Sequence, residues 1–302
     1  MRHKLSGVGW VFLLVSVAQA QPEGVGQGPW QFTVSGGAVH QFDSDLDDGG
    51  DYSVDRAAIE VGLGFATGPR DSLGLSLGYN VDDYSFGGDS GLAGMDPWGE
   101  INEYQLSASI RRGIGERFDL FALPFVRWSA EEGGDRGEGQ TTGLIAGVNY
   151  RVSDRLRIGP GFGVFEEIED GVSAFPILLI DWKISDTLSL ETGGGLAATR
   201  GPGLELKSTA FDGWTLGLGA RYENFQFRLE ERGPVPNGVG EEEAVLSYLA
   251  ASYNAHPAFT FSAIAGFEFA GKLTLRDANG TRLASDDADP APYLGLAFRG
   301  RF

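Results

Sequence analysis

Short segments in which apolar residues alternate with polar or small residues recur along the chain. Ile59–Phe65 (IEVGLGF) and Leu73–Tyr79 (LGLSLGY) are two of them, and Trp214–Tyr222 and Phe259–Ala263 follow the same pattern. Successive side chains of a β-strand point to opposite faces of the sheet, so each segment predicts a strand with one apolar face. Soluble antiparallel sheets also alternate, so the pattern predicts an all-β fold without deciding what the apolar face meets.

The connections between these segments alternate in length, which predicts the number of strands. Six are short turns, at 67–71, 113–117, 153–155, 185–187, 211–213 and 254–258. Seven are longer and mostly acidic loops, at about 42–52, 87–100, 130–140, 166–171, 199–203, 230–243 and 276–290. Together they predict fourteen strands, or twelve if the weak pattern at Leu204–Thr209 and one neighbour are not strands. An even strand number, with short turns at one end and longer loops at the other, is typical of outer-membrane β-barrels.

The second face of the same segments carries charges of both signs, interspersed with glycines. A soluble barrel would have an apolar interior, because unpaired buried charge is costly. The lumen of a membrane barrel is instead polar. The sequence therefore predicts an antiparallel transmembrane β-barrel with lipid outside and charge inside. The candidate pore-lining residues, chosen for mid-strand position and inward phase, are Arg111, Arg127, Arg151, Asp181, Glu191, Arg221 and Glu268.

Aromatic residues and prolines mark particular places in these strands. Six aromatic residues near strand ends suit the girdles of a membrane barrel, namely Trp30, Trp128, Tyr150, Trp182, Trp214 and Tyr253. Aromatic residues also favour strands in any sheet, so these six positions do not by themselves distinguish a membrane barrel from a soluble one. Pro124, Pro160 and Pro176 fall inside strand segments, where a missing N–H interrupts the hydrogen-bond ladder, and we expect bulges there.

The N-terminus has the pattern of a secretory signal peptide. Arg2 and Lys4 precede the apolar run Val8–Val17, and Ala18–Ala20 (AQA) is a small-x-small cleavage site. The apolar run is too short to cross a bilayer as a helix. The sequence thus predicts a cleaved signal peptide at 1–20 and one barrel domain at 21–302.

Composition narrows the function classes. The chain has 302 residues, 42 acidic and 23 basic, and a formal net charge of −19. An acidic chain is a poor nucleic-acid binder, because phosphate carries the same sign. The absence of cysteine excludes disulfides, thiolate metal sites and cysteine nucleophiles. Nearly all the excess negative charge lies in the longer loops, which predicts an acidic rim at one end of the barrel.

The last residues resemble a known targeting signature. In Tyr293–Phe302, the residues Leu294, Leu296, Phe298 and Phe302 lie in one phase and end on a terminal phenylalanine. This resembles the C-terminal segment by which bacterial outer-membrane barrels are recognised by their assembly machinery. The whole chain also resembles an uncharacterised family of outer-membrane barrels of about 300 residues. The resemblance implies location in the outer membrane of a Gram-negative-type bacterium. It does not imply any particular activity.

Metal binding and catalysis have weaker sequence support. Asp43, Asp45 and Asp47 have the spacing of the first ligands of a calcium loop, but Asp48 and Val54 stand where an EF-hand needs glycine and glutamate. We therefore expect no cofactor beyond weak Ca²⁺ at an external loop. His40 and His256 are the histidines that remain after processing, and neither lies in a hydrolase motif, so the sequence predicts a protein that is not an enzyme.

The sequence favours a passive, porin-like channel for small hydrophilic solutes, with an acidic external rim that attracts cations. Fourteen strands enclose an interior between those of filled eight-stranded barrels and open porins, so the lumen is either open or closed by its own arginine–carboxylate pairs. The alternative is a non-conducting structural or adhesive barrel whose acidic loops bind divalent cations or surface partners. The expected partners are outer-membrane lipid, the assembly machinery through Phe302, and small solutes.

Overall fold

The computed structural model describes residues 29–169, 171–192 and 203–302. The predicted signal peptide and most of the predicted loop 199–203 lie outside these residues. The strands are β1 Trp30–Asp45, β2 Asp51–Gly68, β3 Asp71–Gly87, β4 Glu100–Ile114, β5 Phe118–Glu131, β6 Gln140–Arg151, β7 Leu156–Glu167, β8 Gly171–Lys183, β9 Leu188–Thr192, β10 Gly203–Phe211, β11 Trp214–Arg228, β12 Val239–His256, β13 Phe259–Arg276, β14 Arg282–Ala288 and β15 Ala291–Arg301. The described part of the chain contains no helix that is long and apolar enough to cross a membrane.

The sheet closes on itself. Each strand from β1 to β13 pairs antiparallel with the next, and β15 pairs with both β13 and β1. β14 pairs with Gly271–Arg276 of β13 and β15 with Phe259–Glu268, so β14 and β15 lie end to end and together fill one strand position. The result is a closed antiparallel barrel with fourteen strand positions, which confirms the predicted fold and strand number.

The two ends of the barrel differ as the sequence predicts. At one end, turns of two to four residues join β2 to β3, β4 to β5, β6 to β7, β8 to β9, β10 to β11 and β12 to β13. We call this the short-turn end. At the other, the loop end, residues 88–99 and 229–238 form the longest connections that the structure describes. Part of the predicted loop 276–290 is instead the strand β14, because it extends the ladder of β13.

Apolar side chains cover the middle and the short-turn half of the outer wall. Leu75, Leu249 and Leu296 are about as exposed as side chains on a sheet surface can be, at 60 %, 62 % and 69 %. Trp214 packs beside Tyr253 near the short-turn end, with ring centroids 5.0 Å apart. An apolar band with aromatic residues at its border is the surface that lipid requires.

Polarity reverses along the strands towards the loop end. On β2, outward positions change from Ile59 to Asp55. Inward positions change over the same distance from Glu60 to Val54 and Tyr52, which are fully buried. The loop-end part of the barrel is thus apolar inside and polar outside, as a soluble barrel would be.

The expected bulges at the three prolines are absent, because the strand register is the same on both sides of each of them, but two prolines interrupt the ladder. Pairing between β4 and β5 is interrupted beside Pro124, and pairing between β6 and β7 beside Pro160. Pro176 stays in register opposite Phe162 on β7. Because proline lacks an N–H on one side only, the ladder on its other side can continue.

We expect Leu77→Arg, in the middle of the apolar band on β3, to destabilise the barrel in lipid by about 2–4 kcal/mol, because it places charge in hydrocarbon. Ser85→Arg, outward on the same strand but beyond the band, is the matched control and should cost about 0–1 kcal/mol. Reversible urea unfolding from lipid vesicles measures both. Equal losses of stability in the two variants would mean that the lipid-facing band is not centred near Leu77.

Candidate functional site

The lumen is the candidate site, and all the predicted pore-lining side chains lie on inward-facing rows. Residues directly opposite in antiparallel strands share a face. Arg127 lies opposite Gln105 and Thr141, which are both buried. Arg157 likewise shares a row with the two predicted residues on either side of it, Arg151 and Asp181. The predicted set is not one uniform lining, however, because its members lie at different depths.

Arg127 belongs to a buried ionic cluster. Its Nε lies 3.0 Å from Glu103 Oε2, and the side chains are 4 % and 2 % exposed. Ser129 Oγ donates to the same carboxylate over 2.9 Å, and Asn80 Nδ2 over 2.6 Å. This cluster fills space with buried, charge-paired side chains rather than lining an open passage.

Glu268 belongs to a second buried layer, which lies inside the lumen. Tyr52 Oη on β2 donates to Glu268 on β13 over 2.9 Å. Arg56 Nη2 donates to Glu242 on β12 over 2.6 Å, and Tyr84 Oη on β3 donates to the same carboxylate over 2.6 Å. Strands that lie three to five positions apart in the ring of fourteen are therefore joined inside the barrel, so the layer spans one side of the lumen.

The charges nearer the short-turn end are more open to solvent. Arg157 Nη1 lies 3.4 Å from Asp181 Oδ2, with both side chains more than a third exposed. Lys207 Nζ lies 2.9 Å from Glu191 Oε2. Arg221 is the exception, because it is buried, with its guanidinium 5.8 Å from the ring centroid of Tyr248. The predicted residues at this depth face a space that is not fully packed.

An apolar cluster closes the lumen at the loop end, and the sequence analysis did not predict it. We call it the apical plug; it consists of Leu46, Tyr52, Val54, Tyr84, Leu92, Ala93, Trp98, Ile101, Phe225, Phe227, Leu229, Leu273 and Leu275. Trp98, on the loop between β3 and β4, is only 2 % exposed. Its ring centroid lies 5.3 Å from that of Phe227 on β11 and 5.5 Å from that of Phe86 on β3. The sequence did contain a signal for the plug. Apolar residues near the loop end of β2 and β3 occupy the inward-facing positions, opposite in phase to the lipid-facing rows; they are Tyr52, Val54, Tyr84 and Phe86.

Two backbone features narrow the mouth above the plug. The ends of β11 and β5 meet in a parallel bridge between Arg228 and Ala130, although five strands separate them in the sheet. The loop 88–99 lies directly on the β1–β2 loop, where a Cβ on Gly88 would come within 2.8 Å of Gly50 Cα. Glycine at position 88, with φ +97°, permits this contact.

A second apolar surface faces the lumen from β5 to β8. We call it the lumenal apolar wall. Its buried part is Leu123, Phe125, Phe165 and Phe175, and its half-buried part is Phe121, Ile145, Ile177 and Leu179. The ring of Phe125 lies against Gly143 and that of Phe175 against Gly163, leaving no room for a Cβ at either glycine. Aromatic rings that cover glycines also help to fix the strand register of the wall.

The structure does not bring the candidate calcium ligands together. Asp43 and Asp45 end β1, Asp47 follows in the loop, and all are exposed. Within residues 29–169, 171–192 and 203–302, no group of three histidine or acidic side chains has the geometry to hold a metal ion. His40 pairs with Asp55 at 2.7 Å on the outer surface, and both side chains are well exposed.

The C-terminal residue completes the closure of the barrel. Phe32 N donates to Phe302 O over 2.9 Å, and Phe302 N donates back to Phe32 O over 2.8 Å. Its ring meets that of Phe259 at 5.3 Å. The terminal segment is thus held between the first strand and β13.

One carboxylate of the predicted acidic rim is held by backbone N–H groups at the loop end. Asp277, in the β13–β14 loop, accepts hydrogen bonds from the backbone N–H groups of Thr281 and Asn279, both over 2.9 Å. These bonds hold the pKa of Asp277 below its usual range, so this carboxylate stays charged in mildly acidic solution.

Comparison with known proteins finds the fold and no close relative. No family model matches the chain, and no curated protein does. A crystal structure of an outer membrane channel from Pseudomonas putida F1 aligns over 94 % of this chain and 100 % of its own, with 11 % identity and a TM-score of 0.52. A crystal structure of a FadL homologue from Pseudomonas aeruginosa aligns over 90 % and 89 %, with 12 % identity and a TM-score of 0.50. The chain therefore has the fold of bacterial outer-membrane β-barrels.

We expect Arg127→Ala to destabilise the barrel by about 3–5 kcal/mol, because Glu103 would remain buried without its charge partner. Arg157→Ala breaks the more exposed pair with Asp181 and should cost less than about 1 kcal/mol. Urea unfolding of the refolded variants compares them. A small effect at Arg127 would mean that water reaches Glu103 and that the buried cluster is part of an open lumen.

Proposed function

We propose that this protein is an outer-membrane channel for the passive passage of small solutes, closed at its loop end in the conformation described here. The observation that carries the proposal is the nature of the closure. Side chains from a loop, above all Trp98, help to block a barrel whose wall is wide enough for a lumen. A block of this kind can move without breaking the wall.

The packing of Trp98 suits a removable block. No described atom accepts a hydrogen bond from its buried indole Nε1–H. A buried donor without an acceptor costs about 1–3 kcal/mol, which lowers the stability of the closed arrangement relative to one in which this group meets water. Loop 88–99 can leave the plug while β3 and β4 stay paired, because their ladder ends at Asp83 and Glu100.

The fold comparison adds independent support. The Pseudomonas putida structure, which aligns over its whole length, is that of an outer membrane channel. A shared fold does not transfer an activity, so it supports the channel class and no particular solute.

Within this proposal, small hydrophilic solutes suit the charged rows near the short-turn end. The acidic loops would raise the local cation concentration at the external mouth over about 8 Å, the Debye length at physiological salt. The protein would be exported by the cleaved signal peptide at 1–20, inserted through its Phe302 segment, and surrounded by outer-membrane lipid.

The second candidate is a non-conducting structural or adhesive barrel, favoured by the buried layer that joins Arg56 to Glu242 inside the lumen. In that case the exposed loops would carry the function, by binding divalent cations around Asp43, Asp45 and Asp47 or by binding surface partners. Conductance separates the two candidates.

We expect the refolded wild-type protein to show rare or small single-channel openings in planar bilayers. Trp98→Ala should open the channel at least about tenfold more often, because it removes the central ring of the apical plug. Trp182→Ala changes an exposed tryptophan on the outer wall and is the matched control. Silence from all three proteins, each still heat-modifiable on gels, would favour the non-conducting barrel.

The ion preference of the open variant tests the acidic rim. With a salt gradient we expect a cation-biased reversal potential at about 0.1 M salt that fades near 1 M, where the Debye length is about 3 Å. Neutralising Asp47, Asp48 and Asp89 together should reduce the bias. Neutralising Asp154 and Asp186, in turns at the opposite end, is the control. A bias that ignores the loop variants would contradict an electrostatic role for the rim.

A further inference from the structure

Guanidinium groups outnumber carboxylates in one part of the lumen near the short-turn end. The Arg111 side chain on β4 interacts electrostatically with Arg70, Arg157, Asp119 and Asp181. Arg151 lies directly opposite Arg157 in the β6–β7 ladder and belongs to the same group. We call Arg70, Arg111, Arg151 and Arg157 the basic cluster.

Each carboxylate in this group already holds one arginine. Arg70 Nε lies 2.8 Å from Asp119 Oδ1, and Arg157 Nη1 lies 3.4 Å from Asp181 Oδ2. The next carboxylate on that side, Glu191, is paired with Lys207. Four arginines thus share the carboxylates of Asp119 and Asp181, which gives the cluster a net positive charge.

Two polar atoms beside the cluster lack hydrogen-bond partners among the described residues. They are Nε of Arg151 and Oδ1 of Asn149, and both atoms are buried. Asn149 faces Asp119 across the β5–β6 ladder, so both atoms lie at the edge of the cluster. A buried N–H of a guanidinium is a strong donor for an anion.

The lumenal apolar wall begins where the basic cluster ends. Phe121 lies directly opposite Arg111 in the β4–β5 ladder. On β8, the inward residues Leu179 and Ile177 follow Asp181 towards the middle of the barrel. Phe121, Ile145, Ile177 and Leu179 are only half-buried, although they face the lumen. Apolar surface left in a water-filled lumen is unfavourable by about 25 cal/mol per Å² relative to a covered one.

We propose that the basic cluster and the lumenal apolar wall form one binding site for a small organic anion with an apolar body, such as an aromatic or short alkyl carboxylate. The carboxylate would lie between Arg111 and Arg151, since a guanidinium binds a carboxylate through two parallel hydrogen bonds. The apolar body would cover Phe121, Ile177 and Leu179. The proposal rests on the proposed channel function and adds one amphiphilic solute to the hydrophilic solutes proposed above.

The distribution of charge is compatible with such a site. The acidic rim and the basic cluster lie at opposite ends of the strands, and the twelve residues of β6 alone span roughly 40 Å at ~3.3 Å per residue. That is several Debye lengths, so the rim does not repel an anion bound at the short-turn end. An anion would reach the site from the short-turn end while the plug is closed.

Binding is measured by isothermal titration on the full refolded protein in nanodiscs. The probes are 4-phenylbutanoate, the neutral 4-phenylbutanamide of the same shape, and acetate, which has the charge without the body. We expect saturable binding of 4-phenylbutanoate at one site per barrel, with the amide and acetate each weaker by about tenfold or more. Binding of the amide as tight as that of the acid would overturn the proposal.

Variants test the two halves of the site. Arg111→Gln and Arg151→Gln should each weaken 4-phenylbutanoate binding by about tenfold and leave amide binding unchanged. Ile177→Ala should weaken acid and amide alike. Arg155→Gln changes an arginine in an exposed turn and is the control. Unchanged acid binding in both arginine variants would overturn the site; should they fail to fold, the comparison of probes on wild-type protein decides.

Conductance recorded on the same samples separates this proposal from the channel itself. Selective binding with a silent bilayer supports the site and contradicts the channel. Conduction without selective binding supports the channel and contradicts the site. Block of the Trp98→Ala conductance by 4-phenylbutanoate, lost in Arg111→Gln, supports both.

Discussion

The closure of the sheet is the constraint on which the rest of this structure depends. No water is present in hydrocarbon to satisfy a free strand edge, so a membrane sheet must end where it began. Here the C-terminal strand closes the ring by pairing with both the first strand and β13, and Phe302 exchanges backbone hydrogen bonds with Phe32. The short turns and the interrupted ladders beside Pro124 and Pro160 are compatible with that closed ring.

Each part of a strand has the polarity that its surroundings require. In the band of Leu75 and Leu296 the outer face meets lipid, and the inner face carries charge. Nearer the loop end the outer face carries Asp55, and the inner face packs Tyr52 and Val54 into the apical plug. One barrel therefore has the apolar outer surface of a membrane protein in its middle and the apolar core of a soluble protein near its loop end. The reason is that the same strands pass from lipid into water.

These layers define what the lumen offers to a solute. The apical plug and the Arg56–Glu242 layer block the loop end, while paired but partly exposed charges and the lumenal apolar wall lie nearer the short turns. The block is built from a loop and from side chains, so opening and closing need not disturb the wall. The space below it combines charge with an apolar surface, and both are available to one molecule.

The sequence by itself determined the wall: its period of two, its alternating turns and loops, its parity and its inward charges are local properties, readable wherever strands keep one phase. It predicted the inward rows of Arg127 and Glu268 but not that these side chains are buried, because their partners Glu103 and Tyr52 come from other strands. Only the tertiary structure decided what fills the lumen. Which residues meet across a barrel depends on its closure and on how loop 88–99 folds, and Trp98 reaches Phe227 only because both lie inside the same ring.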